Sequence, residues 1–361
     1  MRIAFYGSSL LSSVWNGAAT YYRGLIRALD ARGHEVTFFE PRAFGRQERA
    51  DIEPPEWCEV VVYEPDPQGL AQVAARAGEF DAVVKTSGVG VLDDALPDAV
   101  YAKARPGALR VFWDVDAPAT LAEIEAAPDH HLRRWIGEVD FVLTYGGGPP
   151  VVRRYEALGA RACVPVYNAL DPQTHHPVQP DPRFSGDLVF LGNRLPDRER
   201  RADEFFFRAA ELRPQDRFLL GGSGWEDKPM PSNIAALGHV STRDHNALNA
   251  TPRAALNVSR DSMAQNGHSP ATRVFEAAGA GACLITDDWE GIDAFLKPGE
   301  EVLVARDGQD VAEALGALSP ERAEAIGQAA LRRVLAEHTY DRRALEVERL
   351  FEAARQSQEP A

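Results

Sequence analysis

Cysteine is scarce in this chain of 361 residues: Cys58, Cys163 and Cys283 are the only three. Their number is odd, they lie far apart in apolar stretches, and no C-x-x-C occurs. A disulfide framework is therefore excluded, and the three read as reduced core thiols of a cytoplasmic protein. Positive charge is also short, with Lys+Arg 39 against Asp+Glu 54 for a net −15. That balance argues against the broad basic face needed for nucleic acid or an anionic membrane surface. It leaves room for one local basic pocket that takes a phosphorylated ligand. No run of 18 apolar residues occurs, so neither a transmembrane helix nor stable membrane insertion is expected. Met1–Tyr6 reads as a first buried strand and not as part of a signal peptide.

Several chemical signatures are missing as well. There is no G-x-G-x-x-G, Walker loop or G-x-S-x-G elbow. His175 and His176 are adjacent and cannot easily face one ion. His239, His245 and His268 lack ligand spacing, and Asp287-Asp288 alone is a weak pair, so no metal site and no cofactor is expected.

What is present is ordinary globular composition: 45% hydrophobic, 26% charged and 9% aromatic residues. At roughly 150 residues per domain the length points to about two domains. Short β-rich runs alternate with helical periodicity. RIAFY (Arg2–Tyr6) precedes an amphipathic stretch, Ala18–Arg32, with Tyr21, Tyr22, Leu25, Ile26 and Leu29 on one face and Gly33 as its stop. Further strands are expected at Glu35–Phe39, Val60–Tyr63, Ala82–Lys85, Arg110–Trp113, Phe141–Thr144 and Ala162–Val166. A second series follows at Leu188–Leu191, Arg217–Leu220, Ala254–Val258, Ala282–Thr286 and Val302–Ala305. Helices are expected at Arg198–Leu212, Ser269–Gly279, Gly291–Leu296 and Asp310–Leu318, then two more to about residue 356. This rhythm predicts an α/β protein with parallel sheets covered on both faces. Between the two series, residues 171–184 are rich in proline and lack periodicity. The expected organisation is two Rossmann-like domains, 1–170 and 185–339, joined by a linker at 171–184, with a last helix in 340–361. Such domains bind ligands at the carboxyl ends of their strands, in a cleft.

Six strand-end segments carry the candidate chemistry. The loop with Gly7, Ser8 and Asn16 is long for a plain βα turn, and its glycine lets backbone approach a ligand. At the next candidate strand end, the Asp114 and Asp116 carboxylates are suited to position an acceptor hydroxyl or to act as a general base, while Asp116 before Pro118 also suits a helix N-cap. The Tyr145–Pro150 segment places three glycines after a strand, either lining the cleft or making a flexible turn. Gly192, Asn193 and Arg194 put a fork-shaped donor where it can reach a diphosphate. The neighbouring Asp197, Arg198, Arg200 and Arg201 read as a solvated helix face. Gly222 and Trp225 offer backbone donors and a plane for a nucleoside base, or else simple surface packing of the indole.

The sixth segment, Arg260–Trp289, is the most informative. Ser269 followed by Pro270 signals an N-cap and a first helical turn, whose free N–H groups favour a phosphate. Arg273 in that turn opposes the helix dipole, which points to an anion to be bound. Glu276 stands in an otherwise apolar helix and is suited to accept bonds from ribose hydroxyls. The plain alternative is an Arg273–Glu276 ion pair on the surface.

The run Ser269-Pro270-Ala271-Thr272-Arg273-Val274-Phe275-Glu276-Ala277-Ala278-Gly279, with Asp287-Asp288-Trp289-Glu290-Gly291 and Phe295-Leu296-Lys297-Pro298-Gly299-Glu300, resembles the donor half of group-1 glycosyltransferases. It is most similar to their CgeB-like, spore-maturation-protein-like branch. The resemblance implies the GT-B architecture, retention at the transferred carbon and a nucleoside-diphosphate sugar (UDP-, GDP- or dTDP-linked) held mainly by the second domain. It also implies a last helix, from about Tyr340, that returns to the first domain. Glu276 matches the glutamate used on the donor ribose. The group-1 pattern has another glutamate eight positions earlier, and here that position is His268. Catalytic candidates are then Asp114, His268 and Arg273. Donor-binding candidates are Gly7, Ser8, Asn16, Gly192, Asn193, Arg194, Gly222, Trp225, Asn266, Gly267, Ser269, Thr272, Arg273 and Glu276. The function implied is metal-independent sugar transfer to an acceptor that the sequence does not name, by a monomer or dimer. A sugar-nucleotide epimerase on the same fold, or a non-catalytic nucleotide-sugar-binding or coat-assembly protein, remains open.

Overall fold

A computed structural model describes residues 1–13 and 18–358. The chain forms two compact units, Met1–Tyr167 with Tyr340–Ala361, and Asn168–Thr339. The first holds β1 (Arg2–Tyr6), β2 (Glu35–Pro41), β3 (Glu59–Tyr63), β4 (Ala82–Thr86), β5 (Leu109–Asp114), β6 (Phe141–Thr144) and β7 (Cys163–Pro165). They make one parallel sheet in the order β3-β2-β1-β4-β5-β6-β7. The second holds β8 (Leu188–Leu191), β9 (Phe218–Gly221), β10 (Ile234–Gly238), β11 (Ala254–Asn257), β12 (Leu284–Asp287) and β13 (Leu303–Ala305). Their order is β10-β9-β8-β11-β12-β13, again all parallel. Each order reverses direction once, beside β1 and beside β8. In sheets of this kind ligands gather at that reversal, at the carboxyl ends of the strands.

Both sheets are buried on two faces, which is why their strands read as nearly unbroken apolar runs. Ile3, Ala4, Phe5 and Tyr6 are fully buried, as are Leu188, Val189 and Phe190. The first helix spans Ala19–Ala31 and buries Tyr21, Tyr22, Leu25, Ile26 and Leu29 as its spacing predicts. It ends in a Schellman arrangement: Gly33, at φ +83°, donates to Asp30 O and His34 to Leu29 O. Helix Tyr340–Gln358 belongs to this first unit and lies on the first helix. Its Glu348 accepts from both Arg32 and His34.

Four local features differ from the sequence reading. Strand β10 was not foreseen: IAALG is alanine-rich, only half-buried, and sits at a sheet edge. The 198–212 helix begins at Pro196 and carries one π-type turn over Asp203–Phe207, which seats three consecutive phenylalanines in the core. Only the short 3-10 turn Ile292–Ala294 forms where Gly291–Leu296 was expected. The stretch 171–184, expected as a linker, folds with the second unit: Thr174 and His175 donate to Asp171 O, and Phe184 is buried in a short turn.

Candidate functional site

In the first unit, the loop after β1 is held by a residue that sequence reasoning did not select. Glu40, at the end of β2, is fully buried. Its Oε2 accepts from Ser9 Oγ (3.0 Å) and from the backbone N–H groups of Leu10 (2.7 Å) and Leu11 (3.4 Å). Its Oε1 accepts from Gln47. Ser8 is buried and its carbonyl accepts from Arg46. A Cβ on Gly7 would lie 2.5 Å from the Phe38 ring, so core packing already demands glycine there. Asn16 lies outside the described residues.

Asp114 closes β5 and is fully buried. Its Oδ1 accepts from Ser87 Oγ (2.7 Å), Thr120 Oγ1 (2.9 Å) and the Asp116 N–H (3.0 Å), and its Oδ2 accepts from the Tyr155 hydroxyl. Burial, reinforced by this carboxylate, pushes the Tyr155 phenol well above its ordinary value. A carboxylate with both oxygens so engaged and no exposed surface is a structural knot. The expectation that Asp114 acts as a general base is corrected accordingly. Beside it, at the carboxyl ends of β4 and β5, a cavity of about 300 Å³ is lined by Lys85, Asp93, Asp116, Glu123, His130 and His131. Lys85 is almost wholly buried and pairs with Asp93 at 2.8 Å.

In the second unit, the loops after β8 and β9 are stitched together. Gly192 N–H donates to Gly221 O, Arg194 N–H to Ser223 O, and Ser223 N–H to Asn193 Oδ1. Gly222, at φ +119°, lies so close to Gly192 that a Cβ would meet its carbonyl oxygen at 2.3 Å. Two expected ligand contacts are internal here. Trp225 is buried, donates to Gly192 O at 2.7 Å and packs on Phe190 and Phe207, so its indole offers no free stacking plane. Arg194 gives Nη2 to Glu199 and Nη1 to Asp227, both at 2.7 Å. Arg194 and Lys228 together hold Glu199 at about 2, below the usual carboxylate range. Arg201, expected on a solvated face, instead reaches inward: its Nη2 donates to Asp287 at 2.6 Å and its Nε to Ser259 O. Asp287 also accepts from Ser259 N–H and Oγ, and burial still pushes its carboxyl above the ordinary value despite Arg201.

The sixth segment gives the most coherent geometry. Helix Asp261–Asn266 ends at Gly267, whose φ of +64° turns the chain. His268 follows at φ +43°, donates its N–H to Glu290 O, and rests its ring on Gly291, where any Cβ would meet it at 2.2 Å. His268 Nε2 is 3.6 Å from Glu290 Oε1. The next helix spans Thr272–Gly279, not 269–279. Ser269 and Pro270 precede it, and Ala271, in extended conformation, is the capping residue. Asn168 Nδ2 donates to Pro270 O, which helps hold that stretch off the helix. Ala271 has no side chain with which to cap the first N–H groups of this helix, which leaves a terminus suited to an anion.

Arg273 and Glu276 lie one turn apart on this helix, both half-buried. Arg273 Nη1 donates to Asn249 Oδ1 at 3.3 Å. Burial draws the guanidinium below its ordinary pKa, and Glu276 opposes that. Glu276 Oε1 stands 3.9 Å from His175 Nε2. Asn249 Nδ2, His175 Nε2 and Asn168 Oδ1 are buried and have no hydrogen-bond partner among the described residues. His175, Asn249 and Asn168 were not selected from sequence. Among the described residues, no group of three or more His, Cys, Asp or Glu side chains is arranged to hold a metal ion.

Residues 198–349 match the sequence profile of a family described as "Glycosyl transferase-like". No curated protein matches the chain by sequence. Among solved structures, HepE of Anabaena in complex with UDP and glucose is similar with TM-score 0.67 and 14% identity, over 98% of this chain and 100% of that one. Sucrose-phosphate synthase from Thermosynechococcus elongatus gives TM-score 0.71 and 14% identity, over 99% and 100%. AviGT4, a glycosyltransferase involved in avilamycin A biosynthesis, gives 0.62 and 16%, over 99% and 98%. The protein thus has the GT-B architecture of two Rossmann-like, parallel-sheet domains, and residues 198–349 are similar to the family described as "Glycosyl transferase-like".

Proposed function

We propose that the protein is a glycosyltransferase that moves a sugar from a nucleoside-diphosphate donor, with the donor held by the second unit. The observation that carries this is the uncapped start of helix Thr272–Gly279, with Arg273 and Glu276 beside it. When the bond between the sugar's anomeric carbon and the diphosphate oxygen breaks, negative charge grows on the leaving group. The helix N–H groups and the Arg273 guanidinium are placed to stabilise it. Glu276, one turn on, is suited to accept from the donor's ribose hydroxyls. This neutralisation uses the chain's own cation and dipoles, which supports transfer without a resident metal. A uridine donor is the first to try, because HepE was crystallised with UDP and with UDP-glucose. The Ser269–Glu276 run supports placement in the CgeB-like branch, and the group-1 resemblance supports retention. Three buried free thiols support a cytoplasmic setting. We place the acceptor in the first unit, where the cavity beside Lys85 offers mixed acidic and basic lining.

The test is calorimetric titration with UDP-, GDP- and dTDP-glucose, followed by the same titration on Arg273→Ala. Loss of one such donor to developing charge is worth roughly a hundred- to a thousandfold in rate. Affinity for the diphosphate should fall at least tenfold in the variant, and unchanged affinity refutes the assignment. Product NMR separates the alternatives: a new glycoside whose anomeric coupling matches the donor's supports retaining transfer. A nucleotide sugar altered only at one ring carbon indicates an epimerase.

A further inference from the structure

We propose that Asn249 is a positioning residue for Arg273: its amide oxygen anchors the guanidinium at Nη1 without neutralising it, and so sets the other edge of the guanidinium for the diphosphate. The inference rests on the reading of Arg273 as the cation that meets the leaving diphosphate. It starts from two side chains brought together across two helices. Asn249 lies on the short helix His245–Ala250 and is only 1% exposed. Arg273 is in the first turn of helix Thr272–Gly279, which packs against that short helix. Arg273 Nη1 donates to Asn249 Oδ1 at 3.3 Å. The orientation of the amide follows from what each group can offer. A guanidinium carries donors and no acceptor, so the amide atom that faces it is the oxygen. Turned the other way, the amide would set donor against donor.

The other end of the amide shows what Asn249 is there to do. Its Nδ2 is buried and has no hydrogen-bond partner among the described residues. A buried N–H without an acceptor is unfavourable, and a leucine of similar volume would fill the space without one. Packing alone therefore favours leucine. What the amide adds is the oxygen on Arg273. A carboxylate would supply that oxygen too, yet it would neutralise the cation before any anion arrived. The neutral amide holds the guanidinium and leaves its charge in place. Burial already draws Arg273 below its ordinary pKa, with Glu276 opposing, so a further anion is favoured beside it. With Nη1 taken by Asn249, the edge formed by Nε and Nη2 presents two parallel N–H groups, the fork that grips two oxygens of one phosphate. A long side chain loses rotamer freedom when it binds, and an anchor already in place reduces that loss.

The experiment has two arms on the full-length protein. In the first, affinity for UDP, or for GDP or dTDP should one of them bind more tightly, is measured by calorimetry at neutral pH. The proteins are the parent, Asn249→Leu, Asn249→Asp, Arg273→Ala and the double variant of Asn249→Leu with Arg273→Ala. Asn249→Leu releases the guanidinium and should weaken binding about tenfold. Asn249→Asp pairs with the guanidinium and should weaken binding by a similar factor. In the Arg273→Ala background, Asn249→Leu should change nothing further, because no guanidinium is left to place. A merely structural role would weaken binding again in that background. Affinity of Asn249→Leu within about twofold of the parent, or losses that multiply in the double variant, would overturn the proposal. Should the leucine variant not fold, Asn249→Asp decides, and affinity equal to the parent's overturns it. In the second arm, the Arg273 guanidinium is observed by nitrogen-15 NMR without any nucleotide, its signals identified by their loss in Arg273→Ala. The anchor should slow rotation about the Nε–Cζ bond, giving separate Nη1 and Nη2 signals in the parent that merge in Asn249→Leu or Asn249→Ala. Equal rotation in parent and variant overturns the anchor. A parent that binds no nucleoside diphosphate refutes the functional reading, and the guanidinium signals then decide the anchor alone.

Discussion

Replacing Arg201 by methionine should expose how a buried carboxylate beneath the candidate site is kept charged. Arg201 is 13% exposed and Asp287 is fully buried, and their side chains meet at 2.6 Å. Methionine keeps an apolar stem and removes the guanidinium, together with its stacking on Phe205 and its hydrogen bond to Ser259 O. Removing one partner of a buried pair costs about 3–5 kcal/mol, because the other charge is left uncompensated. The cost should depend on pH in a definite direction. Burial already raises the Asp287 carboxyl above its ordinary value, with Arg201 opposing that rise. Without Arg201 the folded-state value climbs further. The native state then keeps a proton that the unfolded chain has released, so stability falls as pH rises above the unfolded carboxylate value. It stops falling once pH exceeds the folded value. While one proton separates the two states, the slope is about 1.4 kcal/mol per pH unit. Urea unfolding of parent and variant at pH 5 and pH 7.5, followed by circular dichroism, should show the variant's deficit grow by roughly 2–3 kcal/mol between them. Adding Asp287→Asn to the variant should abolish that growth. Equal deficits at both pH values, or a deficit below about 1 kcal/mol at pH 7.5, would refute the reasoning.

Two further substitutions follow from the geometry. Gly24→Ala places a Cβ 2.2 Å from the Tyr340 ring, inside the first unit. The overpacking, about 1–3 kcal/mol, should outweigh the helix-propensity gain and make the 340–358 helix more sensitive to limited proteolysis. Arg194→Ala should leave nucleotide affinity within about threefold of the parent, since both ends of its fork are held by Glu199 and Asp227, and should shift the urea unfolding midpoint little.

The strands were legible because a sheet covered on both faces must be apolar throughout. RIAFY and LVFL carry that signal locally, and both strands form over the residues expected. Strand β10 was not legible, because an alanine-rich edge strand has little to bury. The start of the Thr272 helix was misplaced for a different reason. Ser269-Pro270 has the composition of a cap and first turn, yet Ser269 is buried and Asn168, about a hundred residues earlier, binds the Pro270 carbonyl. A tertiary contact overrode a local signal. The same holds for the polar knots. Glu40 with Ser9, Asp114 with Tyr155, and Arg201 with Asp287 are pairs distant in sequence, and no periodicity announces them. His175 was hidden differently, in a proline-rich stretch that reads as a linker but folds into the second unit.

The structure also ranks Arg194, Arg201 and Arg273 by what each already holds. An incoming diphosphate must displace any carboxylate that already neutralises the cation it uses. At Arg194 that means two carboxylates, and Glu199 is additionally held by Lys228. At Arg201 it means stranding Asp287 in the core, the most costly exchange of the three. Arg273 donates to the neutral amide of Asn249, at a long 3.3 Å, and is partly desolvated before any ligand arrives. A phosphate oxygen on its other edge adds a charge-assisted bond and leaves the neutral one in place. The desolvation of Arg273 was met during folding, and its cost is offset only in part by Glu276. A guanidinium held at that disadvantage gains more from an anion than one already neutralised. On these grounds Arg273 is the arginine we propose for a diphosphate, while Arg194 fastens the loops after β8 and β9.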